Sequence, residues 1–325
     1  MKAAVVEQPG APEVLQVKEI PVPAPRPGWV LIKVKAFGLN RSEMFTRQGH
    51  SPNVRFPRVL GIECVGIVED GGGTGLQVGQ KVAAVMGEMG RKYDGGYAEY
   101  TLIPMSQVMP LTTDLPWEVL AAIPETFLTA WGSLVEAMEV QPGQKLLIRG
   151  GTSALGMAAI SLAKDMALYV TATTRDTSKV AALLANNADD VIIDTGQLAQ
   201  AARERMPEGF DCTLELIGTV TLLDSLRTVR QRGIVCMSGL LGNEWTLHEF
   251  EPLAEMPSTV RLTVYTSETV TSANGTAALQ HIVDGVAAER YRPNLHKVFR
   301  LDEIAAAHRY MEENRGTGKL VVLTE

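Results

Sequence analysis

At 325 residues the chain is too long for one ordinary domain and comfortable for two. Hydrophobic residues make up 46% and charged ones 21%, which allows a sizeable core and excludes a disordered chain. The formal net charge is −7 with no basic block, which argues against nucleic acid as the main partner, since neutralising phosphates needs clustered Lys and Arg.

No apolar run is long enough to span a bilayer, and the N-terminus lacks a basic segment followed by an apolar signal region. Neither a membrane span nor secretion is expected. Cys64, Cys212 and Cys236 lie far apart, each in an apolar, strand-like stretch. They read as buried, reduced thiols, which suits a cytoplasmic protein.

The first third is rich in strands. Segments rich in Val and Ile at 1–6, 15–20, 29–37, 64–69 and 81–86 are predicted strands. Pro21, Pro23, Pro25 and Pro27 punctuate an extended connector, and Gly71-Gly72-Gly73 and Gly95-Gly96 mark turns. Strands here do not alternate with helices.

Near Leu120 the pattern changes. Residues 120–139 have helical spacing, closed by Pro142-Gly143. Strands are predicted at 145–149, 168–174, 190–193, 210–216, 233–238 and 261–265, with helices between the first five. That alternation implies a parallel, doubly wound sheet of six strands. The tail holds two helical stretches, 275–288 and 301–314, and an apolar strand at 319–323. It does not continue the alternation and is expected to return to the N-terminal domain. Residues 122–266 then form an α/β domain inserted between 1–121 and 267–325.

The inserted segment opens on Gly150-Gly151-Thr152-Ser153-Ala154-Leu155-Gly156, between a strand and the apolar helix that begins at Met157. A strand, a glycine turn and a helix start make a phosphate site: backbone N–H groups approach a pyrophosphate, and the helix N-terminus adds partial positive charge. The dinucleotide fingerprint is G-x-G-x-x-G, and Ser153 stands at its middle glycine. Serine takes some room and adds a hydroxyl, a candidate pyrophosphate contact. On the loop alone, an ordinary tight turn fits as well.

The second strand of such a unit discriminates between nucleotides. A site for NAD places Asp or Glu at its end to accept from the ribose 2′-hydroxyl. Here the strand ends Thr173-Thr174-Arg175, and Lys179 follows. Hydroxyls and a charged fork suit the 2′-phosphate of NADPH. Arg175 and Lys179 also read as a solvated surface pair, and Asp176 is placed to neutralise Arg175.

Several motifs together carry a family resemblance: Val34-Lys35-Ala36-Phe37-Gly38-Leu39-Asn40, Leu60-Gly61-Ile62-Glu63-Cys64-Val65-Gly66, Gly95-Gly96-Tyr97-Ala98-Glu99-Tyr100 and Leu128-Thr129-Ala130-Trp131. In this order, around an inserted Rossmann domain, they resemble the medium-chain dehydrogenase/reductase superfamily over the full chain. Within it the chain is similar to the zinc-free quinone oxidoreductase branch that includes zeta-crystallin. The resemblance implies a GroES-like β-rich catalytic domain, NADPH as cofactor and a homodimer formed through Rossmann sheet edges. The segment 260–265, rich in β-branched residues, is the candidate edge.

The resemblance also bears on metal. Zinc alcohol dehydrogenases of the superfamily hold zinc with a Cys, a His and a third Cys or acidic residue. The matching positions are Asn40, Ile62 and a position near Glu125. An amide and an aliphatic side chain do not replace thiolate and imidazole. No cysteine lies between Cys64 and Cys212, so the structural zinc lobe is missing too. Metal-free chemistry is expected.

Asn40 matches a position near the reacting carbon and is a candidate for lining the nicotinamide pocket, although Asn also forms turns. Ser42 matches the hydroxyl that relays a proton in alcohol dehydrogenases. It also suits the cap of a helix starting near Glu43, the commoner role. Some relatives donate from a Tyr in the following loop, where this chain has Phe45. His50 and Tyr265 read as surface and structural residues.

The expected function is metal-independent transfer of hydride from NADPH to a quinone or an α,β-unsaturated carbonyl, small electrophiles reducible without a Lewis acid. The alternatives are a zinc-type alcohol dehydrogenase relative with altered ligands and a non-catalytic NADPH-binding protein.

Overall fold

A computed structural model describes residues 1–314 and 316–325. The chain forms two compact units, one of 1–128, 267–289 and 293–325, the other of 129–266 and 290–292.

The first unit is built mostly of strands: β1 (Lys2–Val6), β2 (Leu15–Glu19), β3 (Trp29–Gly38), β4 (Arg58–Val59), β5 (Glu63–Asp70), β6 (Lys81–Val85), β7 (Tyr100–Pro104) and β8 (Val108–Pro110). Helix α1 (Arg41–Arg47) follows β3, and α2 (Trp117–Leu120) precedes α3 (Pro124–Trp131), which leads out of the unit. One sheet has the order β2-β1-β4. In the other, β3 pairs antiparallel with β5 and β7, and β5 with β6. Its core gathers Val34, Phe37, Leu60, Tyr97, Ile103 and Val322, all buried. Phe37 stacks on Tyr97 with ring centroids 4.6 Å apart.

Helix 120–139, expected to be continuous, is broken. α2 stops at Leu120, α3 starts at Pro124, and a π-helical turn follows over Gly132–Ala137. Proline cannot donate within a running helix and suits a first turn, so Pro124 begins a new one.

The second unit carries β9 (Lys145–Arg149), α4 (Ala154–Asp165), β10 (Tyr169–Thr174), α5 (Val180–Ala185), β11 (Asp190–Ile193), α6 (Leu198–Arg205), β12 (Phe210–Glu215), α7 (Thr219–Ser225), β13 (Val229–Met237), α8 (Pro252–Glu255) and β14 (Arg261–Val264). Its six strands run in the order β11-β10-β9-β12-β13-β14. Every pairing is parallel. The expected doubly wound sheet is present, and its order reverses direction beside β9. Ligands of such sheets bind at the carboxyl ends of the strands at that reversal.

The tail supplies α9 (Ser272–Ala287), β15 (Leu295–Arg300), α10 (Ile304–Glu312) and β16 (Lys319–Leu323) to the first unit. β16 pairs antiparallel with β3, placing Leu323 opposite Ala36. Among the described residues no helix is long and apolar enough to cross a membrane.

Candidate functional site

In the second unit, the glycine run joins β9 to α4. Gly150 has a φ of 90°, a left-handed conformation that glycine adopts without strain. Its N–H donates to Thr173 Oγ1 at 3.1 Å, and Gly151 N–H to the Thr173 carbonyl at 3.1 Å, which ties the loop to β10. Ser153 is the N-cap of α4: its Oγ accepts from Gly156 N–H at 3.0 Å and donates to the Gly150 carbonyl at 2.8 Å. The hydroxyl expected to reach a ligand is thus engaged within the loop. Among the described residues, the N–H groups of Thr152, Ala154 and Leu155 find no acceptor. They form the donor set that a helix start offers an anion.

Thr174 closes β10 and turns back on its own loop, Oγ1 accepting from Asp176 N–H at 3.1 Å. Asp176 accepts from Ser178 N–H at 2.9 Å and Ser178 Oγ at 2.7 Å. These bonds, with the Lys179 charge, hold its carboxyl below the usual range. Asp176 therefore caps a turn and is not hydrogen-bonded to Arg175. Arg175 is exposed and Lys179 half-buried.

Beside the loop stands a residue that the sequence reading passed over. Arg149, the last of β9, is fully buried. Its Nε and Nη2 donate to Asp194 at 2.8 and 3.1 Å, and its Nη1 to Asp224 at 2.8 Å and Ser225 at 3.0 Å. Burial opposes its charge, but the Asp194 bond and the Glu215, Asp194 and Asp224 charges outweigh that and raise its pKa. Asp224 in turn accepts from Leu198 N–H at 2.9 Å, capping α6. One guanidinium thus ties β9 to the segments following β11 and β12. A charged residue ending an apolar strand was the only signal for it.

In the first unit, Asn40 is the residue before α1. Glu43 accepts its backbone N–H at 3.0 Å. The Asn40 amide turns inward: Nδ2 donates to Glu63 Oε1 at 2.9 Å and Glu43 Oε1 at 3.3 Å, while Oδ1 accepts from Lys319 Nζ at 2.6 Å. Lys319 also donates to Glu63 Oε1 at 2.7 Å and Thr126 Oγ1 at 2.8 Å. Glu63 Oε2 accepts from Glu125 N–H at 2.9 Å. Burial pushes the Glu43 carboxyl up to about 7, with the Glu63 charge adding to the rise and the Ile62 N–H bond and Lys319 opposing it. Lys319 and Thr126 were missed from the sequence, because a lysine opening an apolar strand reads as a surface residue.

Ser42 does not cap α1, since the helix starts at Arg41 and Asn40 is its cap residue. The Ser42 hydroxyl accepts from Arg91 Nη2 at 2.9 Å, and Arg91 Nη1 donates to Glu268 at 3.0 Å. Phe45 is buried and His50 exposed. Of the positions matching zinc ligands, Ile62 has no donor atom in its side chain, and Asn40 offers only a neutral amide already bonded to Lys319. These residues do not fit zinc.

The comparisons with known proteins agree with this architecture. Residues 26–113 match the alcohol dehydrogenase GroES-like domain, and residues 186–322 match a family described as zinc-binding dehydrogenase. The quinone oxidoreductase of Pongo abelii is 29% identical over 332 residues, covering 99% of this chain and 98% of that protein. The acryloyl-coenzyme A reductase of Metallosphaera sedula is 24% identical and covers 100% of both chains. A mycobacterial structure complexed with NADPH superposes with a TM-score of 0.89 at 25% identity, covering 100% of both chains. A GroES-like unit, a six-stranded parallel sheet opening on a glycine loop and relatives matched from end to end describe an NAD(P)-dependent oxidoreductase type, and the chain belongs to the medium-chain dehydrogenase/reductase superfamily.

Proposed function

We propose that this chain is a metal-independent oxidoreductase that uses NADPH to reduce a quinone or an α,β-unsaturated carbonyl compound. One observation carries the reading. Of the three positions that zinc dehydrogenases give to metal ligands, one holds the aliphatic Ile62 and one the Asn40 amide bonded to Lys319, so only the carboxylate near Glu125 remains, which leaves acceptors that are electron-poor without a Lewis acid. The names of the quinone oxidoreductase and acryloyl-coenzyme A reductase relatives support that acceptor class.

When bound, NADPH supplies the hydride. The N–H groups of Thr152, Ala154 and Leu155, with the start of α4, bind the pyrophosphate. Gly150, Gly151, Ser153 and Gly156 shape that turn. Thr174, Arg175 and Lys179 take the 2′-phosphate, and the self-capped Asp176 leaves Arg175 available to it. Asn40 lines the nicotinamide pocket. Ser42, which accepts from the Arg91 guanidinium, keeps its own O–H to donate to an oxygen that gains charge as hydride arrives.

The chain acts as a homodimer joined through β14, an edge strand that exposes Val264. It works in the cytoplasm, where Cys64, Cys212 and Cys236, all free and buried, stay reduced.

The test is oxidation of NADPH and NADH, side by side, on addition of small quinones and 2-alkenals. NADPH oxidation should accelerate with at least one panel and be indifferent to a strong chelator. No turnover with either panel, or activity abolished by the chelator, overturns the reading.

A further inference from the structure

Two carboxylates flank Thr174, the residue that closes β10. Asp176 follows it in the chain and is held by Ser178. Asp194 lies beside it across the sheet: Ile193 pairs with Thr174, and the Asp194 N–H donates to the Thr174 carbonyl at 2.9 Å. Parallel strands lie about 4.8 Å apart, so Asp194 borders the subsite of Thr174, Arg175 and Lys179. An unpaired carboxylate there would suit the ribose 2′-hydroxyl of NADH, and its charge would repel a 2′-phosphate.

The Asp194 carboxylate is not unpaired. Arg149 Nε donates to its Oδ2 at 2.8 Å and Nη2 to its Oδ1 at 3.1 Å, while Gly196 N–H adds a bond to Oδ1 at 2.8 Å. β10 stands between β9, which carries Arg149, and β11, which precedes Asp194. Ile148 pairs near Ala172 on one side and Ile193 with Thr174 on the other, so the ion pair spans β10 where Thr173 and Thr174 stand. Arg149 also bonds Asp224, a carboxylate that draws in addition on Leu198 N–H at the start of α6.

We propose that Arg149 determines nucleotide specificity through Asp194: by binding both oxygens of that carboxylate it withdraws a negative charge from the border of the subsite, which then accepts a 2′-phosphate. Arg149 is a positioning residue, since it acts on the nucleotide only through Asp194. With Asp176 held by Ser178 and Asp194 by Arg149, the charges of Arg175 and Lys179 face the phosphate uncancelled.

This inference rests on the assignment of Thr174, Arg175 and Lys179 to the 2′-phosphate. Titrating NADPH and NADH into the wild type tests that assignment; the change in their affinity ratio among full-length variants tests Arg149, so the two fail separately. Arg149→Met should lower the NADPH-to-NADH affinity ratio at least about tenfold, the effect of one unpaired charge several ångströms away. Arg149→Met/Asp194→Asn should return the ratio to within about threefold of wild type, because the charge is gone. A purely structural role would weaken both nucleotides equally. An unchanged ratio in Arg149→Met, or no recovery in the double variant, overturns the proposal. Should Arg149→Met fail to fold, Asp194→Asn is titrated alone. It leaves the guanidinium with one carboxylate fewer, so the ratio should rise at least about threefold, and an unchanged ratio overturns the proposal.

Discussion

The ammonium of Lys319 lies 2.7 Å from a carboxylate oxygen of Glu63, a residue 256 positions earlier in the chain. Both side chains are buried, and they join β16 to β5. Removing one partner leaves the other charged and unpaired inside the protein, at a cost of about 3–5 kcal/mol. Lys319→Met should therefore lower the urea midpoint strongly. A change below about 1 kcal/mol would mean that solvent already reaches the pair.

Glu43 should make stability depend on pH. Burial raises its folded pKa to about 7 from an ordinary 4.5. Between these values the folded chain holds a proton that the unfolded chain has released, so this contribution is largest below about pH 4.5 and is lost as pH rises through 7. The size is on the order of 3.5 kcal/mol, from the rise from 4.5 to about 7 at about 1.4 kcal/mol for each pH unit. The stability difference between wild type and Glu43→Gln, measured from pH 5 to 8, should shift against wild type as pH rises. A flat difference would refute the buried carboxyl as its source.

His308 should act in the opposite direction. It is fully buried, with Nε2 3.1 Å from the Tyr97 hydroxyl, and burial, with the Arg47 charge, pushes its pKa down to about 3. The unfolded chain binds a proton near pH 6.5 that the folded chain refuses until about 3. Stability from this residue is complete above 6.5 and lost as pH falls through that window. Replacing His308 with Gln should flatten the acid limb of the stability profile between pH 6.5 and 4. An unchanged slope would place the acid sensitivity elsewhere.

Much of the fold was legible because it is written locally. The apolar runs that become β9, β11 and β16 are continuous, and β16 was placed residue for residue at 319–323. β15 was missed because Leu295–Arg300 alternates charge with a single buried Phe299, a pattern without an apolar run. The glycine loop could be read from its strand and helix neighbours. The Lys319, Glu63, Asn40 and Thr126 cluster could not, because its members meet only through tertiary pairing of β16 with β3 and β3 with β5. Asp176 shows the same limit on a smaller scale: sequence adjacency suggested a pair with Arg175, whereas a turn two residues long claims the carboxylate.

Ser153 should prove a structural cap. Its hydroxyl bonds Gly156 N–H and the Gly150 carbonyl, so Ser153→Ala removes an N-cap worth about 1 kcal/mol. Thermal unfolding without nucleotide should show that loss. Were Ser153→Ala to leave the unliganded protein unchanged and weaken only nucleotide binding, the hydroxyl would belong to the ligand.

Arg175 should decide between the two nicotinamide nucleotides. It is exposed at the end of β10, and the neighbouring carboxylate caps the turn at Ser178. A guanidinium bonded to a 2′-phosphate contributes about 1.5–3 kcal/mol, or about 10–100-fold in affinity. Arg175→Ala should weaken NADPH by that factor and leave NADH nearly unchanged, because NADH carries only a hydroxyl there. Lys179→Ala should act in the same direction by a smaller factor, since an ammonium makes a point contact without a fork. Titrating both nucleotides by fluorescence into each variant reads the outcome directly. An equal loss for NADPH and NADH would show that Arg175 supports the loop and does not read the phosphate.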